Sequence, residues 1–275
     1  MRLLLLGYPL GHSVSPAMHA AALVEAGLTD WAYEARPVPP AELGETVRQL
    51  REPQYAGANV TVPHKGAVMA HLDGLTPVAE AIGAVNTIVK QDGRLIGHNT
   101  DAAGFLADLA AHGVALTGRK VLVLGAGGSA RAVVAACTSV GAHPRVLARR
   151  PEVAAGLNSL GPVAIFEWTE LGLLRASDGC AVIVNTTPLG MNPRAEATPW
   201  IEGTPFPPDA FVYDLVYNPA ETRLVRQARA AGLGADTGLG MLVEQGALAF
   251  EKWTGRAAPR GTMRRAAEKA VGGRQ

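Results

Sequence analysis

Short apolar runs alternate along the chain with stretches of helical periodicity, which is the pattern of an α/β protein. The first part predicts a strand at Arg2 to Leu6, a helix at Pro16 to Ala26, a strand at Trp31 to Arg36, a helix at Ala41 to Arg51, a strand at Gly57 to Val62 and a helix at Lys65 to His71. A hairpin follows, with strands Val85 to Lys90 and Leu95 to His98 turned by Gln91-Asp92-Gly93-Arg94, where Asp-Gly supplies positive φ at little cost. A long helix then starts near Asp101. From Lys120 the order becomes strand (Val121 to Leu124), helix (Ser129 to Val140) and strand (Arg145 to Ala148), with further strands at Ala181 to Asn185 and Phe211 to Leu215. Strands separated by helices imply a parallel sheet with right-handed crossovers. The expected organisation is an N-terminal α/β domain over residues 1–102 and a doubly wound parallel sheet over 103–237. Residues 238–275, beginning with a helix from Leu239 to Trp253, are expected to return to the first domain.

A length of 275 residues leaves room for one large or two medium domains. With 48% apolar and 18% charged residues the chain is neither disordered nor a charge-rich coiled coil. Twenty-five Lys and Arg against 24 Asp and Glu leave a formal charge of +1, too balanced to grip a nucleic-acid backbone or an anionic membrane. No run of about 18 apolar residues is present to span a bilayer, and the apolar run Leu3 to Leu6 is too short for a signal peptide. Cys137 and Cys180 each sit in an apolar stretch and make no disulfide scaffold, so a cytoplasmic location is expected.

One turn carries recognisable chemistry. The strand Lys120-Val-Leu-Val-Leu runs into Gly125-Ala126-Gly127-Gly128-Ser129-Ala130 and then a helix, in the order of a Rossmann-type dinucleotide fold. Gly125 permits the tight turn, Gly127 lets backbone approach a pyrophosphate, Ala130 allows close packing, and the helix N-terminus favours the anion. Where an NAD site usually offers an acid to the ribose, the second strand ends Ala148-Arg149-Arg150. A permanently charged planar fork suits a 2′-phosphate, so the expected cofactor is NADP.

Polar clusters recur at the predicted strand ends. Ser15, with Pro16 after it, fits a helix N-cap, and Ser13 with Ser15 at a helix start also makes a carboxylate site. In Asn59-Val60-Thr61-Val62-Pro63-His64-Lys65, period-2 geometry puts Asn59 and Thr61 on one face, with Lys65 at the strand's exit and His64 given a surface role. Asn99-Thr100-Asp101 ends another strand and equally caps the following helix. Asn86, the Asn185 to Met191 loop, Tyr217 and Gln245 occupy comparable places. Ligands of open α/β sheets bind beyond the carboxyl ends of strands, which is where these residues converge. The seven histidines show no metal-ligand spacing, no Ser-His-Asp or Cys-His arrangement is visible, and no metal site is expected.

With these segments in place the chain resembles the shikimate dehydrogenase family over nearly its whole length. The motifs occur in order: SVS at Ser13 to Ser15, NVTVPHK at Asn59 to Lys65, GAVNT at Gly83 to Thr87, NTD at Asn99 to Asp101, GAGGSAR at Gly125 to Arg131, NTTPLGM at Asn185 to Met191, YDLVY at Tyr213 to Tyr217 and GLGMLVEQGALAFEKWTG at Gly238 to Gly255. The resemblance implies Lys65 and Asp101 as the catalytic pair and Ser13 and Ser15 as ligands of the substrate carboxylate, with Asn59, Thr61, Asn86, Tyr217 and Gln245 completing the substrate site. It implies that Gly125, Ala126, Gly127, Gly128 and Ser129, with Ala148, Arg149, Arg150, Leu215 and Gly238, hold NADP. It further implies two α/β domains around a cleft, a monomer or homodimer, and NADPH-dependent reduction of 3-dehydroshikimate to shikimate in aromatic amino-acid biosynthesis.

Two positions depart from the family pattern. Ala148-Arg149-Arg150 stands where Asn-Arg-Thr is usual, losing an amide and a hydroxyl but gaining a charge, and Pro77 replaces an acidic residue. The alternatives are a quinate or mixed quinate/shikimate dehydrogenase, whose members tend to carry Thr where Ser15 stands, and a non-catalytic NADP-binding module, which would lack Lys65 or Asp101. A general carbonyl reductase would lack the paired serines.

Overall fold

The computed structural model describes residues 1–11 and 13–273; the last two residues of the 238–275 segment lie outside the described residues. The chain forms two compact units, Met1–Gly104 with Leu242–Gly273, and Phe105–Met241.

The first unit opens with β1 (Arg2–Gly7), α1 (Ser15–Glu25), β2 (Ala32–Pro37), α2 (Leu43–Gln49) and β3 (Tyr55–Val60), then β4 (Gly74–Leu75), α3 (Pro77–Ile82), β5 (Thr87–Gln91), β6 (Arg94–His98) and α4 (Asp101–Ala111). Its six-stranded sheet has the order β2-β1-β3-β5-β6-β4. β1 runs parallel to β2 and β3, whereas β5 is antiparallel to both β3 and β6. β1 and β3 are buried along almost their whole length, which is why they read as continuous rather than alternating apolar runs. Leu4, Leu6, Val38, Leu43, Val47, Leu50, Val60 and Ile88 form one core under α2. The β5–β6 turn has Asp92 and Gly93 both at positive φ (49° and 75°), the hairpin geometry that Asp-Gly predicts.

The second unit contains β7 (Lys120–Leu124), α5 (Gly128–Ser139), β8 (His143–Ala148), α6 (Pro151–Ala154), β9 (Ala164–Glu167), α7 (Glu170–Ser177), β10 (Cys180–Asn185), β11 (Phe211–Asp214), α8 (Arg223–Ala230) and β12 (Ala235–Thr237). Its strands lie in the order β12-β11-β10-β7-β8-β9, all parallel, which is the doubly wound Rossmann order. The chain leaves the first unit inside α4 and returns inside α9 (Leu239–Thr254), and α10 (Arg260–Gly272) then packs against α1. Trp253 of α9 donates its indole N–H to the Ile88 carbonyl of β5 at 2.9 Å, tying the returning helix to the first sheet.

Three sequence expectations need correction. The segment at residues 41–51 is only partly α-helical, with a 3-10 turn at Pro40–Glu42 leading into α2, and residues 65–71 hold no α-helix, their only helical turn being the 3-10 turn Ala67–His71. Ser15 is not an N-cap. The helix begins on it, and Val14, whose side chain has no acceptor, occupies the cap position. Strand β3 ends at Val60 rather than Val62, so Thr61 follows it directly, with its N–H still bonded to β1.

Candidate active site and nucleotide loop

In the first sheet the order reverses between β1 and β3, and the segments that follow these strands carry Ser13 and Thr61 to Lys65. A switch point leaves a concavity beyond the strand ends, which is where α/β ligands bind. The Ser15 N–H donates to Ser13 Oγ at 3.3 Å, so Ser13 supplies at the helix start the acceptor role that Ser15 was expected to play. Thr61 is anchored by its N–H on the Leu6 carbonyl at 2.8 Å, and its own carbonyl accepts from the His64 N–H at 2.9 Å. His64 is buried rather than on the surface. It has 1% exposure, and its Nε2 contacts the Val38 carbonyl at 2.6 Å, which clamps the segment leading to Lys65.

Lys65 and Asp101 meet. Lys65 Nζ donates to Asp101 Oδ2 at 2.6 Å, with side-chain exposures of 20% and 10%. The pair is therefore screened less than a surface ion pair but is still reachable by a small molecule. Asp101 stands at the start of α4, where Asn99 Oδ1 accepts from the N–H groups of Asp101 and Ala102 at 3.0 and 3.4 Å. Asn99 thus caps the helix while its Nδ2 donates to the Ala84 carbonyl. Asn86 Nδ2 donates to Asp101 Oδ1 at 2.8 Å, to Thr100 Oγ1 at 2.8 Å and to Gln245 Oε1 at 3.2 Å. Asn59 Nδ2 in turn reaches the Asn86 carbonyl at 3.1 Å. Five of the predicted residues, Asn59, Lys65, Asn86, Asp101 and Gln245, are thus joined in one hydrogen-bonded cluster. Two members that the motif reading did not single out are Tyr33, which donates to Asn59 Oδ1 at 2.7 Å, and Thr87, which is fully buried between the two asparagines. For Thr87 the available signal was its place beside Asn86 in GAVNT; Tyr33 carried none.

The second unit places Gly125 at φ 108°, where a Cβ would come within 2.9 Å of Thr187 Cγ2 and 3.0 Å of Thr186 Oγ1. A side chain there would be strained and obstructed, so glycine is required. By contrast, a Cβ on Gly127 or Gly128 would meet nothing within 4 Å, so the backbone at the start of α5 faces open space. Gly127 is the N-cap of that helix and, among the described residues, no side chain caps it, which leaves N–H groups available to an anion. Arg149 and Arg150 are exposed at the end of β8, beside buried Ala148. This combination of open backbone cradle and paired guanidiniums fits a dinucleotide bearing an extra phosphate.

The remaining nucleotide-loop residues are held by a buried network. Asn185 Oδ1 accepts from Thr187 N–H and Oγ1 at 2.9 and 2.7 Å, and Asn185 Nδ2 donates to Asp214 Oδ1 at 2.8 Å. Asp214 also accepts from Thr222 Oγ1 at 2.7 Å and from the Val216 N–H at 3.0 Å. Burial pushes the Asp214 carboxyl up to about 6 against the pull of those three donors. Gly238 packs so closely on Leu215 that a Cβ would lie 2.6 Å from the Leu215 carbonyl oxygen. Tyr217 belongs to this unit, three residues beyond β11. Among the described residues no helix is long and apolar enough to cross a membrane, and no group of three or more His, Cys, Asp or Glu could hold a metal ion.

Comparisons with known proteins point to one family. Residues 5–88 match the family model described as shikimate dehydrogenase substrate binding domain, and residues 238–268 match the shikimate 5'-dehydrogenase C-terminal domain. A curated shikimate dehydrogenase (NADP(+)) of Symbiobacterium thermophilum is 45% identical over 98% of this chain and 94% of its own length. One from Salinibacter ruber is 47% identical over 94% of each chain. The crystal structure of Thermus thermophilus shikimate 5-dehydrogenase in complex with NADP(H) and shikimate superposes with a TM-score of 0.90 at 42% identity, covering 98% of this chain and 100% of that one.

Proposed function

The chain belongs to the shikimate dehydrogenase family, and from that premise we propose that Lys65 and Asp101 form its proton-transfer pair. The enzyme is an NADP-dependent oxidoreductase that interconverts 3-dehydroshikimate and shikimate. The observation that carries the residue assignment is the 2.6 Å contact between Lys65 and Asp101, two groups from different strand ends.

Bound NADPH supplies the hydride for the C3 carbonyl carbon; the chain supplies binding, orientation and the proton. Lys65 has three N–H donors and spends one on Asp101, so its ammonium can also present a proton to the C3 oxygen. In reduction that proton completes the hydroxyl, and in oxidation the Lys65 amine takes it back. Asp101 orients the ammonium through Oδ2, while Asn86 fixes the other oxygen of the same carboxylate. Ser13 and Ser15 bind the substrate carboxylate at the start of α1, and Thr61, Asn59, Asn86, Tyr217 and Gln245 complete the substrate contacts. Residues 125–129, with Ala148, Leu215 and Gly238, hold NADP, and Arg149 and Arg150 pair with its 2′-phosphate. In this reading the first unit supplies the substrate contacts other than Tyr217, and the second binds cofactor. A cytoplasmic location suits the two unpaired, buried thiols Cys137 and Cys180.

The relatives reported above carry the shikimate name, and Ser15 keeps the smaller hydroxyl beside the carboxylate, so a quinate specialist is disfavoured. The test is nicotinamide absorbance after adding shikimate or quinate with NADP or NAD. The reading expects fastest reduction for shikimate with NADP. Equal or faster turnover of quinate, or of NAD, would overturn the assignment of substrate or cofactor.

A further inference from the structure

The asparagines of the first unit are oriented by backbone groups. The Thr100 N–H donates to Asn86 Oδ1 at 2.8 Å, and the Asn86 carbonyl accepts from Asn59 Nδ2 at 3.1 Å. A backbone N–H can only donate and a carbonyl can only accept, so neither amide can be flipped without losing a buried bond. The remaining directions follow. Tyr33 must donate to Asn59 Oδ1, at 2.7 Å. Asn59 Nδ2 must donate to Thr87 Oγ1, at 3.3 Å. Thr87 is then left with its hydroxyl proton, for which Asn86 Oδ1 at 3.1 Å is the nearer acceptor and Thr100 Oγ1 at 3.4 Å the other. Asn86 Nδ2 donates to Asp101 Oδ1 at 2.8 Å, and Lys65 closes on Oδ2 at 2.6 Å.

The result is a head-to-tail chain, Tyr33 to Asn59 to Thr87 to Asn86, ending on the carboxylate that orients Lys65. In a dry interior such a chain polarises along its length, and each member holds the next in position. Thr87 is its centre and is fully buried, as Asn59 and Asn86 nearly are. We infer that Thr87 is a positioning residue for the reaction: its hydroxyl adds to the Thr100 N–H in holding the Asn86 amide, and through it the Asp101–Lys65 pair, without itself touching substrate. This rests on the reading of Lys65 and Asp101 as the proton-transfer pair.

Thr87→Val keeps the shape, removes the hydroxyl and leaves Asn59 Nδ2 one acceptor short. With the Asp101–Lys65 geometry loosened, kcat should fall roughly 10- to 100-fold, the span of a lost buried partner, while KM for shikimate should rise by a smaller factor than kcat falls, since the Ser13–Ser15 clamp is untouched and only the Asn59 and Asn86 contacts are loosened. Thr87→Ser restores the hydroxyl and should recover most of the turnover. Because Thr87 acts through Asp101, adding Thr87→Val to Asp101→Asn should cost almost nothing further. If Thr87→Val does not fold, Tyr33→Phe breaks the same chain at its head and should lower kcat by a larger factor than it raises KM. Wild-type turnover in the variant that breaks the chain, failure of serine to rescue, or an undiminished effect in the Asp101→Asn background would overturn the inference alone. Near-wild-type turnover in Asp101→Asn would instead overturn the proton-transfer reading, and the inference with it.

Discussion

His19 is a buried base with no hydrogen-bond partner among the described residues, and the structure fixes how stability should respond to pH. Its ring is wholly buried beneath α1, stacked on Tyr33 with centroids 4.3 Å apart and tilted against Trp253 at 5.5 Å, and neither ring nitrogen has a partner among the described residues. Burial among those rings pushes its pKa from 6.5 down to about 3. In the unfolded chain the imidazole takes a proton below about pH 6.5, whereas in the folded chain it cannot until about pH 3. The stability contribution is therefore complete above pH 6.5 and is lost as pH falls through that window. At pH 5 the unfolded imidazole is one and a half pH units below its midpoint, which at about 1.4 kcal/mol per unit gives about 2 kcal/mol. His19→Phe keeps a flat ring in the stack and removes the titration. Denaturant unfolding of both proteins at pH 7 and pH 5 isolates the effect, since every other group cancels between them. The wild type should lose about 2 kcal/mol more than the variant over that interval. Equal losses would refute the reasoning, whatever the absolute stabilities.

Arg149→Ala should weaken NADP roughly 10- to 150-fold, the cost of a charged hydrogen bond, while leaving NAD kinetics unchanged; an equal loss for both cofactors would show that Arg149 does not read the phosphate. Ser13→Ala should raise KM for shikimate by a similar factor with kcat little changed. It also removes the acceptor of the Ser15 N–H, so melting measured alongside separates any fraying of α1 from the binding defect; unchanged KM would place the carboxylate elsewhere.

The nucleotide half was legible because its geometry admits few residues. A strand entering Gly125-Ala126-Gly127 needs a positive φ at the first glycine and open backbone at the next, and the sequence advertises both. The elements that escaped were short or weakly patterned. β12 is only Ala-Asp-Thr, and β9 is four residues at a sheet edge with no fully buried position. α10 did carry a signal, since Met263, Ala267 and Val271 recur every four residues and are its buried face. The helix cap at residue 15 was misplaced because Ser-Pro fits both the N-cap with N1 and the first two helical positions, and only the fold chooses between them. Within the site, Lys65 and Asp101 were visible as polar residues at strand ends. What they touch was not, because Asn86 meets Gln245 across 159 residues of chain and no local pattern encodes that contact.

The central claim is that Lys65 and Asp101 act as one proton-transfer unit, and the most direct measurement is turnover and shikimate affinity in Lys65→Met, Asp101→Asn and their combination. Methionine keeps much of the lysine stem without the proton, so kcat should fall roughly 10²- to 10⁴-fold, the usual loss for a general acid or base, with affinity much less affected. Asp101→Asn should also depress kcat, and the double variant should be far less impaired than the product of the two singles. Near-wild-type turnover in Lys65→Met would contradict the assignment, and a purely multiplicative double variant would contradict the pairing.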